Sequence, residues 1–510
     1  MKGNARHMSA TSASAGTPEA SPEASPAHHP RPVSGVDRFF HITERGSSVG
    51  AEIRAGVVTF FAMAYIILLN PLILGTGADS EGTVLGVSRV AAVTAFVAGV
   101  MTILFGVIAK YPFGIAAGLG LNTLVAVTAV AGEGLTWPEA MGLIVIEGLI
   151  IVLLAITGFR AAVFNAIPAS MKAAMSVGIG AFISIIGFVG GGFVTRVPDA
   201  AGTTVPVSLG IGGSISAWPT VIFIFGLVLG GILVVRNVPG GLFIGVVVTT
   251  ILSIIVEALF DVGPAFDAQG NENLGGWAMA VPEAPQALGT LPDLSLLGNV
   301  DLFGAFTRIG VVAATLLVFT LLLANFFDAM GTMTGLGRQA GLVDETGTLP
   351  GMKKALVVEG LGAVAGGAAS ASSNTVFADS AAGVGDGART GLANVVTGLL
   401  FLAAMFLTPL YEIVPLEAAS PVLVIVGAMM MTGVTEIDWS KFYIALPAFL
   451  TIMVMPFTYS IANGIGVGFI AFTLMFVAAG KIKDVHWIMW LVSALFVVFF
   501  AVDPIMQAIG

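Results

Sequence analysis

Long stretches of this sequence carry no Asp, Glu, Lys or Arg. A helix that crosses a bilayer needs about 20 predominantly apolar residues. Only 10% of the 510 residues are charged and 56% are hydrophobic, whereas a soluble domain carries about 25% charged residues. No soluble core could bury this much apolar surface, so the sequence predicts an all-α polytopic membrane protein. The uncharged stretches include 55–78, 90–109, 111–132, 173–195, 200–235, 237–256, 442–480 and 485–502.

These stretches predict about 14 spans. The segment 442–480 is long enough for two of them, with Asn463-Gly464 as the turn. The segment 200–235 holds an external loop and one span. The segment that begins at Trp487 is either an extra span or an interfacial helix.

Basic residues predict the orientation of the spans, because Lys and Arg accumulate in cytoplasmic loops. With a cytoplasmic N-terminus, most of them fall on the inner side, and the opposite loops are acidic or neutral. Arg196 and Arg308 are the exceptions. The inner-side residues include Arg38, Arg45, Arg54, Lys110, Arg160, Lys172, Arg236, Arg338, Lys353, Lys354, Lys441, Lys481 and Lys483.

Residues 1–35 are rich in Ala, Ser, Pro and His, lack an apolar signal-peptide core, and predict a disordered cytoplasmic tail. The chain has no cysteine, which excludes disulfides, thiolate metal sites and cysteine nucleophiles. We find no metal-ligand spacing, no nucleophile constellation, and nothing that indicates a cofactor or a nucleic-acid partner. The predicted segments are the tail 1–35, an amphipathic inner-surface segment 36–54, a first repeat 55–264, an external loop 265–308, a second repeat 309–480 and a C-terminal hydrophobic segment 481–510.

The chain contains a weak internal repeat. AAGLG at 116–120 recurs as AAGVG at 381–385, and a second pair of similar segments begins at Asn165 and Glu412. The same order in both halves predicts two repeats of about seven spans, which are inverted because seven is odd. Transporters of this kind bind substrate at the repeat interface, next to interrupted Gly-rich helices. The interrupted third and tenth spans are predicted at 114–122 and 373–389, where freed backbone groups would line a cavity.

Two carboxylates lie within membrane-length apolar sequence. Asp328 follows the uncharged stretch 309–327, and Asp379 lies in the second Gly-rich segment. A carboxylate at membrane depth is costly and usually faces a cavity, a partner or a substrate. We therefore predict that both bind substrate or a proton, although Asp379 could also cap the short helix that follows it.

Other acidic and basic side chains leave alternatives open. Glu359 either makes hydrogen bonds in the core or carries the proton. Glu147 is expected to make a structural polar contact between helices. Glu257 is expected to reach the interface. Arg389 is expected to anchor the inner end of the tenth span or to pair with Asp386.

An amide and several aromatic rings are further candidates. Asn122 follows the first Gly-rich segment, and its amide can both donate to and accept from a heterocycle edge, or it could join packed helices. Phe326, Phe327 and Phe377 could stack on a flat ligand, or could simply pack.

Five motifs stand out along the chain: EIRAGVVTFFAMAYIILLNPLIL, AAGLGLNTLVA, NFFDAMGTMTGLGRQAGL, FADSAAGVGDGARTGL and PAFLTIMVMPFTYSIANGIGVG. Together they resemble the AzgA-like permeases, the hypoxanthine/adenine/guanine transporters of the nucleobase–cation symporter-2 superfamily. The resemblance implies 14 spans in two inverted seven-span repeats and proton symport of a purine. It also implies a core domain of spans one to four and eight to eleven, which moves against a gate domain of the remaining spans.

The resemblance also implies roles for particular residues. The family's acid of the eighth span falls on Asp328, its acid of the tenth on Asp379, and its asparagine after the third-span glycines on Asn122, beside Gly120. The family usually has Glu-Ser-Ala in the tenth span, whereas this chain has Asp379-Ser380-Ala381. The shorter carboxylate leaves the substrate preference open.

The sequence thus predicts a proton-coupled purine permease of the plasma membrane and no enzyme. The predicted substrate-binding residues are Asp328, Asp379, Asn122, Gly120, Phe327 and Phe377, and the predicted proton carriers are Asp328 and Glu359. A xanthine/uracil-type permease and an anion transporter or channel of the same architecture remain alternatives. A membrane-embedded hydrolase lacks a base–nucleophile pair here. A homodimer is compatible with all of these.

Overall fold

The computed structural model describes residues 34–157, 167–197, 206–266, 273–278, 280–285, 287–344 and 349–509. Within these ranges the chain is predominantly helical. The predicted disordered tail lies almost wholly outside the described residues.

The first half of the chain forms nine α-helices in the described ranges, with one π-helical turn and three short strands. They are α1 (Gly35–Phe40), α2 (Val49–Met63), α3 (Ile66–Leu74), α4 (Val87–Ile108), β1 (Ile115–Ala117), α5 (Leu119–Thr123), the π-helix Leu124–Gly132, α6 (Trp137–Thr157), α7 (Ala169–Gly190), β2 (Val194–Arg196), β3 (Val207–Leu209), α8 (Trp218–Val235) and α9 (Gly241–Phe260).

The second half adds ten α-helices, one strand and three short 3₁₀ turns in the described ranges. They are α10 (Gly304–Arg308), α11 (Val311–Gln339), α12 (Met352–Ala368), β4 (Asn374–Val376), α13 (Ser380–Gly385), α14 (Gly391–Ala404), Met405–Leu407, α15 (Pro409–Glu412), α16 (Leu416–Met430), Met431–Glu436, α17 (Phe442–Thr458), α18 (Ile461–Ala478), Ile482–Asp484 and α19 (Trp487–Ile509).

Eight helical segments in the described part of the chain are long and apolar enough to cross a membrane, with α2 and α3 counted together as one. The helix is the expected form because lipid offers no partner for a backbone N–H or C=O. The eight are Val49–Leu74, Val87–Ile108, Trp137–Thr157, Ala169–Gly190, Trp218–Val235, Gly241–Phe260, Leu416–Glu436 and Ile461–Ala478. Shorter apolar helices are Leu119–Gly132, Val311–Phe326, Gly391–Leu407, Phe442–Thr458 and Trp487–Ala501.

Both segments that the sequence predicts as interrupted are extended before they become helical. Strands β1 and β4 pair antiparallel, with Ile115 opposite Val376 and Ala117 opposite Asn374. A short helix follows each strand, α5 after β1 and α13 after β4. The two breaks therefore satisfy each other's backbone groups deep inside the protein, where all six strand residues are buried.

The helices pack as two groups. In the first helix group, α6 packs against α12, and α14 packs against α2 and α4. In the second helix group, α7 packs against α16 and α17, α17 against α18, and α8 against α9 and α16. The contacts of α5 and α11 with α7 join the groups.

The crossing of α4 and α14 shows how closely these helices approach. A Cβ atom on Gly391 would lie 1.8 Å from the carbonyl oxygen of Gly106, and one on Gly106 would lie 2.4 Å from that of Gly391. Only glycine fits at such a contact, which lets the two backbones touch, as is common between helices in membranes.

The predicted turn at Asn463-Gly464 is wrong. Helix α17 ends at Thr458, where Tyr459 takes a left-handed conformation with φ of 53°, and α18 begins at Ile461. The Ser460 hydroxyl caps α18 by accepting from the backbone N–H of Asn463 at 3.3 Å. Gly464 lies inside α18, and a Cβ there would come within 2.2 Å of the Met455 side chain. Its small size serves close helix packing rather than a turn.

The loop after α9 is held by carboxylates at two helix ends. Glu257 accepts a hydrogen bond from the buried Trp277 indole at 2.7 Å. Glu417, at the start of α16, accepts from the Ala278 amide at 2.9 Å. The loop thus connects the ends of α9 and α16, and Glu257 holds it through the Trp277 indole.

Candidate functional site

A cavity of about 230 Å³ lies between the first and second helix groups, beside the paired strands. Both Gly-rich breaks, the middle of α11 and one face each of α7 and α16 form its wall. The lining residues are Tyr65, Gly118, Leu119, Gly120, Leu121, Ser176, Ile179, Ile183, Ala324, Asp328, Thr332, Val376, Phe377, Ala378, Asp379, Val426 and Met430. We call this space the carboxylate cavity.

Helical periodicity places Asp328 in this wall. Ala324, Asp328 and Thr332 follow one another at intervals of four along α11 and all line the cavity. Residues four apart share one face of a helix. Asp328 is exposed and lines the cavity.

Asp379 occupies the junction between β4 and α13. It stands at the N-cap position of α13, but its side chain makes no capping hydrogen bond. Its Oδ2 instead accepts a hydrogen bond from the Tyr65 hydroxyl at 2.9 Å. The carboxylate is half-buried and lines the cavity. The capping alternative is therefore wrong, and the group faces the cavity.

Sequence reasoning missed Tyr65. This residue lies at the break between α2, which ends at Met63, and α3, which begins at Ile66. Its ring is 1% exposed and lies 6.1 Å, centroid to centroid, from the Phe377 ring. The only signal in the sequence was a hydroxyl within an apolar stretch. Nothing there indicated its partner.

Two other polar residues of the wall were also missed. Ser176 lines the cavity from α7, and Thr332 lines it from α11. Thr332 could have been found, because it follows Asp328 by four residues in a helix. Ser176 carries no comparable signal.

The remaining predicted site residues fall in different places. Gly120 and Phe377 line the cavity, whereas Asn122 does not. Asn122 is fully buried, and neither atom of its side-chain amide has a hydrogen-bond partner among the described residues. Phe327 belongs to α11, and its side chain lies outside the described part of the structure. Glu359 is buried on α12 and interacts electrostatically with Asp328.

Gly120 has a packing role that the sequence did not reveal. A Cβ at this position would lie 2.8 Å from Cγ2 of Ile179 on α7. The glycine therefore lets the first Gly-rich break contact the second helix group at the edge of the cavity.

A buried hydrogen-bond network supports α11 one turn before Asp328. Asn325 donates to Glu147 Oε1 at 2.7 Å and to the Ser373 hydroxyl at 3.1 Å. Glu147 belongs to α6, and Ser373 directly precedes β4. The expected structural contact of Glu147 between helices is confirmed, and it connects three elements around the site.

At the other end of the second Gly-rich break, Asp386 pairs with Arg54 rather than with Arg389. The Arg54 Nε lies 2.7 Å from Asp386 Oδ2. Arg389 donates to the carbonyl oxygen of Val384 at 2.8 Å. The alternative of an Asp386–Arg389 pair is wrong, whereas the anchoring of this end by Arg389 agrees with its bonds.

The lining of the carboxylate cavity is acidic. Asp328 and Asp379 line it, and no Lys, Arg or His does so in the described part of the chain. No group of three or more His, Cys, Asp or Glu that could hold a metal ion occurs among the described residues. The wall combines two carboxylates, three hydroxyl groups and aromatic and aliphatic side chains. It suits a small, flat ligand that donates hydrogen bonds, or a proton.

Comparison with known proteins places the chain among permeases. The Xan_ur_permease sequence model, described as the Permease family, matches residues 50–467. The guanine/hypoxanthine permease PbuG of Bacillus subtilis (strain 168) is 37% identical over 471 residues, which cover 91% of this chain and 98% of that protein. The adenine permease AdeP of Escherichia coli (strain K12) is 33% identical over 463 residues, 91% of this chain and 95% of that protein.

A solved structure shares the fold. The transmembrane domain of a cyanobacterium bicarbonate transporter, BicA, superposes with a TM-score of 0.53 at 16% sequence identity. The superposition covers 84% of this chain and 97% of that domain.

Proposed function

The chain belongs to the Permease family, as an AzgA-like member of the nucleobase–cation symporter-2 superfamily, and on this premise we propose that it imports purine nucleobases by proton symport. The proposed substrates are hypoxanthine, guanine and adenine. One observation carries the proposal: Asp328 and Asp379, which lie on separate elements, line one cavity between the two helix groups.

Asp379 is assigned to the hydrogen-bonding edge of the base. Tyr65 occupies one carboxylate oxygen of Asp379, which leaves the other to accept from a ring N–H. Phe377 lines the same wall and offers an aromatic face. Gly120 lets the backbone approach the ligand. Phe327 is assigned a stacking role on its position in α11 alone.

Asn122 is assigned to the substrate on the family resemblance and on its two amide atoms, which lack partners among the described residues. It follows Leu121, which lines the cavity. Its amide would reach a base only after a movement of α5.

Asp328 and Glu359 are assigned to the proton. The two groups interact electrostatically, and the energy of two like charges disfavours having both ionised at once. A proton on this pair removes one of two like charges before the loaded site moves past the second helix group. Proton and base then favour each other's binding, because a coupling free energy between two sites is reciprocal.

The proposed architecture has 14 spans in two inverted seven-span repeats, 55–264 and 309–480, joined by the external loop 265–308. The antiparallel pairing of β1 with β4 supports the inversion, because equivalent segments of inverted halves run in opposite directions. The first helix group corresponds to the core domain and the second to the gate domain. Segment 36–54 would lie at the inner surface, and 481–510 would follow the second repeat.

The proposed orientation has a cytoplasmic N-terminus in the plasma membrane, as the distribution of Lys and Arg supports. Arg308, an exception to that distribution, lies 2.7 Å from Glu139 and 2.8 Å from Glu81. Hydrogen bonds to these two carboxylates raise the pKa of Arg308, and the carboxylates compensate its positive charge on the outer side.

The fold shared with BicA raises anion transport as an alternative. A carboxylate-lined cavity without a described Lys, Arg or His opposes that reading, because an anion would meet like charge. Competition by xanthine and uracil distinguishes a xanthine/uracil-type permease from a hypoxanthine, guanine and adenine permease.

The test is uptake of labelled hypoxanthine into cells that lack their own purine transport, with adenine, guanine, xanthine and uracil as competitors and with or without a protonophore. We expect saturable uptake that purines inhibit and the protonophore abolishes. The Asp328→Asn variant is expected to lose proton-driven accumulation, whereas Asp484→Asn, at an exposed 3₁₀ turn, keeps it. Absence of saturable nucleobase uptake would overturn the function, and unchanged proton-driven uptake by Asp328→Asn would overturn the role of Asp328.

A further inference from the structure

A second cavity, of about 310 Å³, lies further along two of the helices that line the carboxylate cavity. On α7 the first cavity uses Ile183 and the second uses Gly190, seven residues or about 10 Å further along the helix. On α16 the first uses Val426 and the second Ser420. The third wall continues from Leu121 into the π-helix. We call this space the Ser420 cavity.

The lining of the Ser420 cavity excludes a charged ligand. Among the described residues that line it there is no Asp, Glu, Lys, Arg or His. An ion moved into such a space would lose its hydration without gaining a counter-charge. Two aromatic residues, Trp137 and Tyr459, stand among aliphatic side chains in the wall. These surfaces fit a neutral, flat molecule.

One buried polar group in this wall has no partner. The Ser420 hydroxyl is fully buried and makes no hydrogen bond to any described residue. The next residue, Pro421, lies inside α16 and has no N–H to donate to the carbonyl of Glu417. A buried hydroxyl without a partner costs free energy, so such a group in native proteins calls for an explanation. A ligand that hydrogen-bonds to Ser420 supplies one.

We infer that the Ser420 cavity is a second, separate binding site for a neutral planar heterocycle, which passes between it and the carboxylate cavity. The inference rests on the proposed function for the identity of the heterocycle, a purine. The two sites have different roles. The Ser420 cavity, which has no charged lining residue among those described, binds the base alone, and the carboxylate cavity binds the base together with the proton.

The absence of native cysteine makes the test clean, because a single introduced thiol is the only one in the chain. Ser420→Cys is labelled with N-ethylmaleimide in purified protein, with and without hypoxanthine. The matched control is Met429→Cys, on the same helix but exposed and outside both cavities. Each is also made in an Asp379→Ala background, which disables the carboxylate cavity. Leu423→Cys, in the same wall, replaces Ser420→Cys if that variant does not fold.

Hypoxanthine at roughly ten times its dissociation constant is expected to slow labelling at position 420 about tenfold in both backgrounds, and to leave Met429→Cys unaffected. Loss of protection in the Asp379→Ala background would overturn the second site, since protection then depends on the first. Hypoxanthine binding to the parent protein is measured alongside. If the parent protein binds hypoxanthine but position 420 is not protected in the Asp379→Ala background, the second site alone is refuted. If position 420 is protected but the Asp379→Ala substitution leaves hypoxanthine binding unchanged, the carboxylate cavity does not bind the base and the proposed function alone is refuted.

Discussion

Replacement of Tyr65 by Phe would remove the hydroxyl that lies 2.9 Å from Asp379 Oδ2. A hydrogen bond to a charged group contributes about 1.5–3 kcal/mol, and about 1.4 kcal/mol corresponds to a factor of ten in affinity. If the whole bond is expressed in substrate binding, KM for hypoxanthine rises by roughly 10- to 150-fold. The turnover number changes less, because the freed carboxylate still reaches the base but in fewer of its orientations.

The assay is the initial rate of labelled hypoxanthine uptake over a range of concentrations, normalised to protein in the membrane. Tyr411→Phe is the matched control. Its hydroxyl donates to the Ala404 carbonyl at 2.7 Å, and the residue does not line the carboxylate cavity. The control variant loses a comparable buried hydrogen bond, so it separates a general loss of stability from a loss at the site.

Two results would refute this reasoning. One is a KM for Tyr65→Phe within about twofold of the parent value, far below the increase expected from loss of the hydrogen bond. The other comes from the Asp379→Asn background. If Tyr65 acts through Asp379, its removal there adds little, whereas a fully additive effect shows that the two residues act independently.

Two further predictions concern glycines at helix contacts. Gly120→Ala places a Cβ 2.8 Å from the Ile179 side chain, and we expect reduced hypoxanthine uptake that Ile179→Ala partly restores; a double variant no better than Gly120→Ala would contradict the steric explanation. Gly391→Ala forces a Cβ against the carbonyl of Gly106, and we expect a loss of about 1–3 kcal/mol, visible as a lower Tm of the purified protein, whereas Gly385→Ala, with open space around it, leaves Tm nearly unchanged.

The sequence could indicate those features whose physical cost is large and local. Carboxylates at membrane depth are expensive, which singled out Asp328 and Asp379, and both line the cavity. Glycine-rich sequence cannot favour one straight helix, which located the two breaks. Neither inference needed knowledge of how distant segments meet.

The missed features depend on contacts between distant segments. Tyr65 meets Asp379 across 314 residues of sequence, and no local pattern encodes that approach. The sequence assigns Asn122 to the substrate because it follows the first Gly-rich segment. In α5, however, the neighbouring Leu121 lines the cavity, whereas Asn122 is buried and does not line it. Gly464 looked like a turn residue because glycine serves both turns and close helix packing.

The pairing of β1 with β4 has a consequence for how the carrier distinguishes its cargo. The ladder joins the two breaks through backbone hydrogen bonds, so Gly120, just beyond one strand, and Asp379, just beyond the other, belong to one hydrogen-bonded frame. Under the proposed function, the base meets the same backbone frame whichever way the site opens, and the opposing surface of α7 and α16 is the part that changes. We therefore expect one selectivity for loading and release, while the affinity for the base differs between the two sides.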